Sequence, residues 1–191
     1  MKIDRPMQKH LNSFTPFEFA LAAYDCWILA LYIKMGVWLG DIPDSFFENK
    51  IQISEGRNRW VIIPHKEQRD MKGVSDNLVR TSQGTCFIAF DEALDDAFGE
   101  KPVQYEDNDK DSLRAIIYMF RCAFAHTPII PTWSITKKRR QVFRIREISF
   151  EMDFRDLDGK RLDESHHAGL HALLQLMDYC LSTLKRQFPN P

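Results

Sequence analysis

An arginine and a histidine five positions apart, Arg121 and His126, are the residues in this sequence best suited to chemistry. The arginine guanidinium can hold two phosphate oxygens and offset the negative charge that develops in a transition state. Histidine, whose reference pKa is about 6.5, can move the proton of a ribose 2′-hydroxyl or of a leaving group. Because DNA lacks that hydroxyl, the pair favours metal-independent cleavage of RNA.

Both residues lie at the end of a predicted helix that Asp109 or Asp111 can cap and that Pro128 ends. The apolar residues that would face the core at helical spacing are Leu113, Ile116, Ile117, Phe120 and Phe124. On a continuous helix Arg121 and His126 would point about 140° apart, so they share a cleft only if the helix relaxes near Pro128. Otherwise, Arg121 pairs with an acidic neighbour and His126 caps the helix C-terminus.

A second candidate, the basic segment (residues 137–146), follows this pair closely. Its cations are Lys137, Lys138, Arg139, Arg140, Arg144 and Arg146. They could hold RNA phosphates, and Trp133 beside them could stack on a base. The alternative is a solvated hairpin tip with an ordinary core tryptophan.

Histidines and acids elsewhere give weaker patterns. His167 and His171 lie one helical turn apart, with His166 beside them, and could share a metal. Surface polar residues are the alternative, and we predict neither a metal site nor a cofactor. The acidic residues Asp91, Glu92, Asp95 and Asp96 could pair with a basic region across a dimer or form a solvated helix face. Glycine-rich phosphate loops and nucleophile elbows are absent from the sequence.

The length and composition of the chain fit one domain, residues 1–191, with 44% hydrophobic and 28% charged residues. The net charge of −1 gives no global attraction to nucleic acid or membrane. The four cysteines form no CxxC pair, so we predict reduced, buried thiols on helices. Met1–His10 lacks the apolar stretch of a secretion signal, and together these features predict a cytoplasmic protein.

The stretch Phe17–Leu39 is apolar enough to raise the alternative of a membrane span. Asp25 stands in its middle, and a mid-span aspartate costs roughly 3 kcal/mol in a bilayer. We therefore predict a central buried helix and no membrane contact. Thr15 and Glu18 form its capping box, and Gly36 or Gly40 ends it.

The remaining patterns predict a mainly α fold, a four- or five-helix bundle with a small antiparallel β-element at about 132–162 before the last helix. Helical periodicity covers 65–80 and 86–98, joined as one kinked helix or broken near Gly84. The last helix is predicted over 163–188, with a core stripe of Leu170, Leu173, Leu174, Met177 and Leu181.

Shorter elements complete the prediction. Residues 41–50 form a turn and a short helix, and 59–64 an extended connection or short strand. Alternation between 132 and 162 indicates two or three strands, whose charged connection is 136–140, and 156–159 form a turn.

An arginine followed after four residues by a histidine, at the end of an apolar helix in a small bundle, resembles the HEPN superfamily of nucleotide-binding domains from higher eukaryotes and prokaryotes. Many members are metal-independent endoribonucleases of toxin–antitoxin, phage-defence and RNA-processing systems, and they form homodimers with two such motifs in one composite cleft. The resemblance implies that Arg121 binds the scissile phosphate and His126 is the acid or base. It also implies RNA, a second copy and a possible antitoxin or other protein as partners.

Two positions depart from the family pattern. Cys122, a possible accessory residue, stands where asparagine, aspartate or histidine is common. Pro128 stands where some members carry a tyrosine that is modified by nucleotide transfer. Cys122 favours an alternative function, a non-catalytic RNA- or protein-binding module that uses the basic segment. A purely structural or regulatory bundle is the third possibility.

Overall fold

The structure is a computed structural model that describes residues 14–43, 45–46, 51–55, 58–62, 70–101, 105–125 and 127–188. Its helices are α1 (Pro16–Leu39), α2 (Met71–Phe98), α3 (Asp109–Ala125) and α4 (Gly169–Gln187). Its antiparallel strand pairs are β1 (Ile51–Glu55) with β2 (Asn58–Ile62), and β3 (Val142–Ile145) with β4 (Phe150–Asp153). The predicted mainly helical fold with a small β-element before the last helix is confirmed.

Helix α1 begins and ends where the sequence predicts. The backbone N–H of Glu18 donates to Thr15 Oγ1 at 3.2 Å, and the backbone N–H of Thr15 donates to Glu18 Oε2 at 2.7 Å. These reciprocal bonds satisfy amide groups that a helix start leaves without partners. Gly40, with φ +83°, adopts the left-handed conformation that closes the other end.

The prediction that α1 is a central buried helix is wrong. Its inner face packs mainly on α2 and buries Trp27, whereas Leu29, Tyr32 and Leu39 on its outer face are 59%, 72% and 68% exposed. The helix is apolar on all sides, so its composition does not distinguish the two faces. By length and composition α1 is the one helix among the described residues that could cross a membrane.

Helix α2 runs without a break through Gly84, so the two predicted stretches form one helix from Met71 onward; the predicted residues 65–69 lie outside the described residues. A Cβ atom added to Gly84 would lie 3.0–3.2 Å from side-chain atoms of Phe124. The glycine therefore permits a close approach between α2 and α3.

Helix α3 forms the centre of the core. All five residues of its predicted apolar stripe are buried, and Phe120 stacks on Phe87 of α2 with ring centroids 4.4 Å apart. Its cap is Asn108, whose Oδ1 accepts the backbone N–H of Asp111 at 2.8 Å, rather than the predicted Asp109 or Asp111. The helix ends at Ala125, shortly before Pro128.

The β-element covers the other side of α3. Phe143 of β3 is opposite Met152 of β4, Ile145 is opposite Phe150, and all four side chains are buried. Outside the named strands, Thr132 and Arg161 form one isolated antiparallel bridge. The basic segment is not a hairpin tip: Lys137–Arg139 forms a 3-10 turn before β3, and Arg146–Ile148 lies in the β3–β4 connection.

The first strand pair was only half predicted. Strand β2 falls in the predicted extended stretch, but β1 was missed; the alternation from Ile51 and the Gly56 turn signal could have indicated it. Parts of two predicted short elements lie outside the described residues: 44 and 47–50 of the turn and short helix, and 63–64 of the extended stretch.

Helix α4 starts six residues later than predicted. Ala168 and Gly169 have φ of +58° and +83°, which breaks helical geometry, and a 3-10 turn, Glu164–His166, precedes them. The buried residues of α4 are Leu173, Leu176, Met177, Cys180, Thr183 and Leu184. Leu170 is 41% exposed, while Leu174 and Leu181 are only partly buried, so the predicted stripe is rotated.

All four cysteines lie on helices with free thiols, as predicted, but only Cys86 and Cys180 are buried. Cys26 is exposed and Cys122 is half-buried. Burial raises the pKa of both core thiols, which keeps them protonated.

The contact at Gly84 predicts an unusual outcome for a helix glycine. Gly84→Ala should lower the free energy of unfolding by about 1 kcal/mol or more, although alanine favours helix by about 1 kcal/mol, because the buried Phe124 ring has little room to move. Urea unfolding monitored by circular dichroism measures the change.

Gly73→Ala is the matched control in the same helix. Its new methyl group would meet the Asp70 carboxylate, which makes no capping bond and can rotate away. We expect this variant to be more stable by roughly 0.5 kcal/mol. A gain in stability for Gly84→Ala would contradict the close approach of α2 and α3.

Candidate functional site

Arg121 lies on the last turns of α3 at the edge of the apolar stripe. Its side chain is 43% exposed, and its Nε is 3.9 Å from Oδ2 of Asp91 on α2. The acidic neighbour that the sequence analysis considered is therefore present. At this distance the pair is an electrostatic contact rather than a hydrogen bond.

Asp91 has a second and closer cation. Lys101 Nζ lies 3.0 Å from Asp91 Oδ1, and the Asp91 side chain is only 8% exposed. Burial raises the pKa of Asp91, and the charges of Lys101 and Arg121 offset part of that rise. Lys101 is thus the principal partner of this carboxylate.

The network extends along α2 and α3. Lys101 also contacts Asp95, whose Oδ1 lies 3.3 Å from Nη2 of the buried Arg114. The same Arg114 nitrogen donates to the carbonyl oxygen of Gly99 at 2.5 Å. Asp91 and Asp95 therefore pair with cations of the same chain, which is neither of the two alternatives that the sequence left open, pairing across a dimer and a solvated helix face. In this network the three cations Lys101, Arg114 and Arg121 share the two carboxylates Asp91 and Asp95.

Tyr118, one turn before Arg121, brings the basic segment to this cluster. The Arg139 guanidinium carbon lies 4.3 Å from the centre of the Tyr118 ring, and Lys101 Nζ lies 4.9 Å from it. Cations at such distances are attracted to the ring face. Interaction with the nearby Cys122 thiol, followed by partial burial, raises the pKa of Tyr118. We call Lys101, Tyr118, Arg121, Cys122 and Arg139 the tyrosine cluster.

Half of the predicted RNA-binding cations have acidic partners nearby. Arg140 pairs with Asp158 at 2.5 Å, Arg144 with Glu151 at 2.6 Å, and Arg146 with Asp107 at 2.6 Å. Within the described ranges, Lys137 and Lys138 have no ion-pair partner and are exposed. The cations best placed to meet an incoming phosphate are therefore these two lysines and those of the tyrosine cluster.

Trp133 does not lie at the surface, so the prediction that it stacks on a base is wrong. It is 1% exposed, its ring centroid lies 5.1 Å from that of Phe120, and its Nε1–H donates to His166 Nδ1 at 3.1 Å. An apolar ring with one satisfied donor is stable in a core. The core-tryptophan alternative is the observed one.

The three histidines do not converge. His166 accepts the Trp133 bond, His171 is exposed, and His167 is 3% exposed with its ring 5.8 Å from that of Phe120. Burial lowers the pKa of His167. Across the described stretches there is no group of three or more His, Cys, Asp or Glu side chains that could hold a metal ion.

His126 lies outside the described residues, so its geometry relative to Arg121 is not part of this structure. The chain around it is described. Thr132 N donates to the carbonyl oxygen of Ala123 at 3.2 Å, and Arg80 Nη1 donates to that of Ile129 at 2.9 Å. The residues after 126 therefore turn back against the end of α3.

Sequence reasoning missed three members of this site. Tyr118 could have been found from its helical spacing, because it lies three and four residues before Arg121 and Cys122. Arg114 lies four residues before Tyr118 on the same helix and gave the same signal. Lys101 had none, since its position depends on how the loop after α2 packs.

Comparisons with protein-family models, with curated proteins and with solved structures find no match to this chain. The functional argument therefore depends on the chemistry of its own residues.

The buried His167 predicts a pH dependence of stability. Its pKa in the folded protein lies below 6.5, so the unfolded chain binds more protons as the pH falls below that value. The folded state consequently loses stability as the pH falls through this range. His167→Gln should flatten the decline of the unfolding free energy between about pH 7 and pH 5.

His171→Gln is the control, because His171 is exposed on α4, which follows His167 closely in the chain. Urea unfolding at several pH values measures both slopes. An unchanged slope in His167→Gln, or an equal flattening in His171→Gln, would contradict the role given to His167.

Proposed function

We propose that this chain is a metal-independent endoribonuclease of HEPN type, with Arg121 and His126 as its catalytic residues. The observation that carries the proposal is the packing of Arg139 on Tyr118. It brings the basic segment next to the helix turn that carries Arg121, so cations that could bind phosphate lie near this arginine. The part assigned to His126 is supported by the sequence motif alone.

Arg121 is suited to bind a phosphate because its present contact is weak. It is half-exposed, and its Nε is 3.9 Å from Asp91. A phosphate would offer its guanidinium two short, charge-assisted hydrogen bonds in place of one long contact. Asp91 would keep Lys101 at 3.0 Å, so no buried carboxylate would lose its only cation.

In the proposed reaction the ribose 2′-oxygen attacks the adjacent phosphorus as its proton leaves. The P–O2′ bond forms, the P–O5′ bond breaks, and the 5′-oxygen gains a proton, which gives a 2′,3′-cyclic phosphate and a 5′-hydroxyl. Arg121 would hold the non-bridging oxygens as their charge grows. His126 would carry out one of the two proton transfers.

The proposal includes a homodimer with two motifs in one composite cleft, in which the second motif supplies the other proton transfer. On the outer face of α1, Leu29, Tyr32, Met35 and Leu39 are exposed apolar side chains that a second copy could cover. Light scattering should then give twice the mass of one chain.

A protein antitoxin as partner and a cytoplasmic location remain predictions.

Cleavage of mixed RNA in EDTA tests the nuclease directly. Wild-type protein should release products that end in a cyclic phosphate, and His126→Ala should cut at least about 100-fold more slowly, because it lacks the general acid or base. Arg121→Lys should also be slow, since an ammonium cannot form the two-pronged phosphate contact. Gel electrophoresis with end-group analysis measures both effects.

His171→Ala is the matched control, an exposed histidine on α4 that should cut like wild type. RNA that survives equally with wild type and His126→Ala, at matched concentrations of folded protein, would overturn the nuclease proposal.

A second candidate function is a non-catalytic RNA-binding module. It is favoured by Cys122, which stands at a position where the family commonly has asparagine, aspartate or histidine. RNA binding that persists in Arg121→Ala without cleavage products would identify this function. Failure to bind any RNA at low salt would favour a structural bundle.

RNA binding by either function should depend on the two free lysines. For single strands, the slope of log K against log salt changes by about 0.7 for each phosphate contact. Lys137→Ala with Lys138→Ala should therefore make the slope shallower by about 1.4. Arg144→Ala is the control and should change the slope less, because Arg144 is paired with Glu151. Equal slopes for the double variant and wild type would exclude the basic segment from the interface.

A further inference from the structure

One histidine ties down the chain before α4. The 3-10 turn Glu164–His166 lies within residues 163–168, which we call the histidine turn. The Nδ1 atom of His166 accepts two hydrogen bonds, from Trp133 Nε1–H at 3.1 Å and from the backbone N–H of Asp163 at 3.2 Å. A ring nitrogen that accepts hydrogen bonds carries no proton, so His166 is neutral in this arrangement.

Trp133 is the fixed partner in this contact. It is 1% exposed, its backbone N–H donates to the carbonyl oxygen of Lys160 at 2.9 Å, and its own carbonyl oxygen accepts the N–H of Gly159 at 2.8 Å. Within the described part of the chain, the bond from Trp133 to His166 is the one hydrogen bond that joins the histidine turn to a distant residue. Loss of this bond would therefore free the turn and leave Trp133 in place.

The histidine turn ends in a strained residue. Ala168 has φ +58° and ψ +25°, a left-handed conformation that is unfavourable for a residue with a Cβ atom. Alanine also has the highest helix propensity of all residues. The surrounding contacts therefore hold Ala168 in this conformation, and a freed turn favours right-handed helical backbone there.

His167, the next residue after His166, acts in the same direction. It is 3% exposed, its ring lies 5.8 Å from that of Phe120, and burial lowers its pKa. An imidazolium is unfavourable at a buried site, so protonation of His167 also favours release of the turn.

The charges around the two imidazoles come from the turn and from other elements. Trp133 and Phe120, which the rings contact, are uncharged. The charged residues that line a cavity beside His167 are Lys34, Asp76, Arg80, Arg161, Asp163 and Glu164. Histidine is the one side chain whose ordinary pKa falls between pH 5 and pH 8. A proton that the turn gains just below neutral pH therefore goes to a histidine.

We propose that the histidine turn is an acid-sensitive switch. A proton from solvent binds Nδ1 of His166, which then faces the Trp133 N–H as a second donor, and the hydrogen bond between them is lost. The turn leaves Trp133, and Ala168 returns to right-handed backbone geometry. The inference does not depend on the proposed nuclease, since the turn contains neither Arg121 nor a residue of the tyrosine cluster.

Titration of the ¹⁵N-labelled full chain from about pH 7.5 to pH 5 tests the switch, because its four tryptophans give separate indole N–H signals. Trp133→Phe assigns the Trp133 signal. In the wild-type chain this signal should move as the pH falls, because its N–H loses its acceptor. Movement of all four indole signals together would indicate unfolding of the whole chain and would overturn the inference.

Two substitutions of His166 should have opposite effects. His166→Asn keeps an acceptor near the position of Nδ1, because the amide oxygen of asparagine is not protonated in this pH range. Its Trp133 signal should stay at the neutral-pH position throughout the titration. His166→Ala has no acceptor and should show the released position already at about pH 7.5. His171→Asn, at an exposed position on α4, is the control and should titrate like wild type.

Ala168→Gly tests the strained residue. Glycine adopts the left-handed conformation freely and is a poorer helix former, and both properties favour the closed turn. The midpoint of the Trp133 titration should therefore fall by about one pH unit. A Trp133 signal that stays in place in wild type, one that titrates normally in His166→Asn, or an unchanged midpoint in Ala168→Gly would each overturn the inference.

Discussion

The close packing of α3 against α2 is the constraint on which the rest of the structure depends. Phe120 stacks on Phe87, and Gly84 leaves the space in which Phe124 lies. Each such aromatic ring buries an area worth roughly 1.5–3 kcal/mol. Because this contact sets the rotation of α3, it also decides that Tyr118 and Arg121 emerge at the edge of the core rather than within it.

The same packing explains why charges gather at that edge. Asp91 and Arg114 are held near the apolar interface, where an unpaired charge is costly, so each has a partner of opposite sign in the network. The Asp91 side chain is only 8% exposed, and this burial raises its pKa more than the two cations lower it. Arg121 can move away from Asp91 without leaving this buried carboxylate unpaired, because Lys101 remains beside it.

Features that depend on neighbouring residues could be predicted from the sequence. Features that depend on packing between distant parts of the chain could not. The Thr15 cap and the α3 stripe depend on neighbouring residues, and both are observed. The late start of α4 depends on Ala168 adopting a left-handed conformation that nothing in its type favours. The tyrosine cluster joins residues from a loop, a helix and a 3-10 turn, so Arg121 was found from its motif while Lys101 was not.

The contact between Arg121 and Asp91 is compatible with a catalytic Arg121. At 3.9 Å the contact is too long for a hydrogen bond, whereas short bonds from a guanidinium to phosphate are individually stronger. Asp91 therefore orients the Arg121 guanidinium in the free protein but does not prevent it from binding a phosphate. Cys122 directly follows Arg121 and lies one turn after Tyr118, the residue on whose ring Arg139 packs. A cysteine at this position is therefore compatible with the packing of Arg139 on Tyr118 that supports the proposed function.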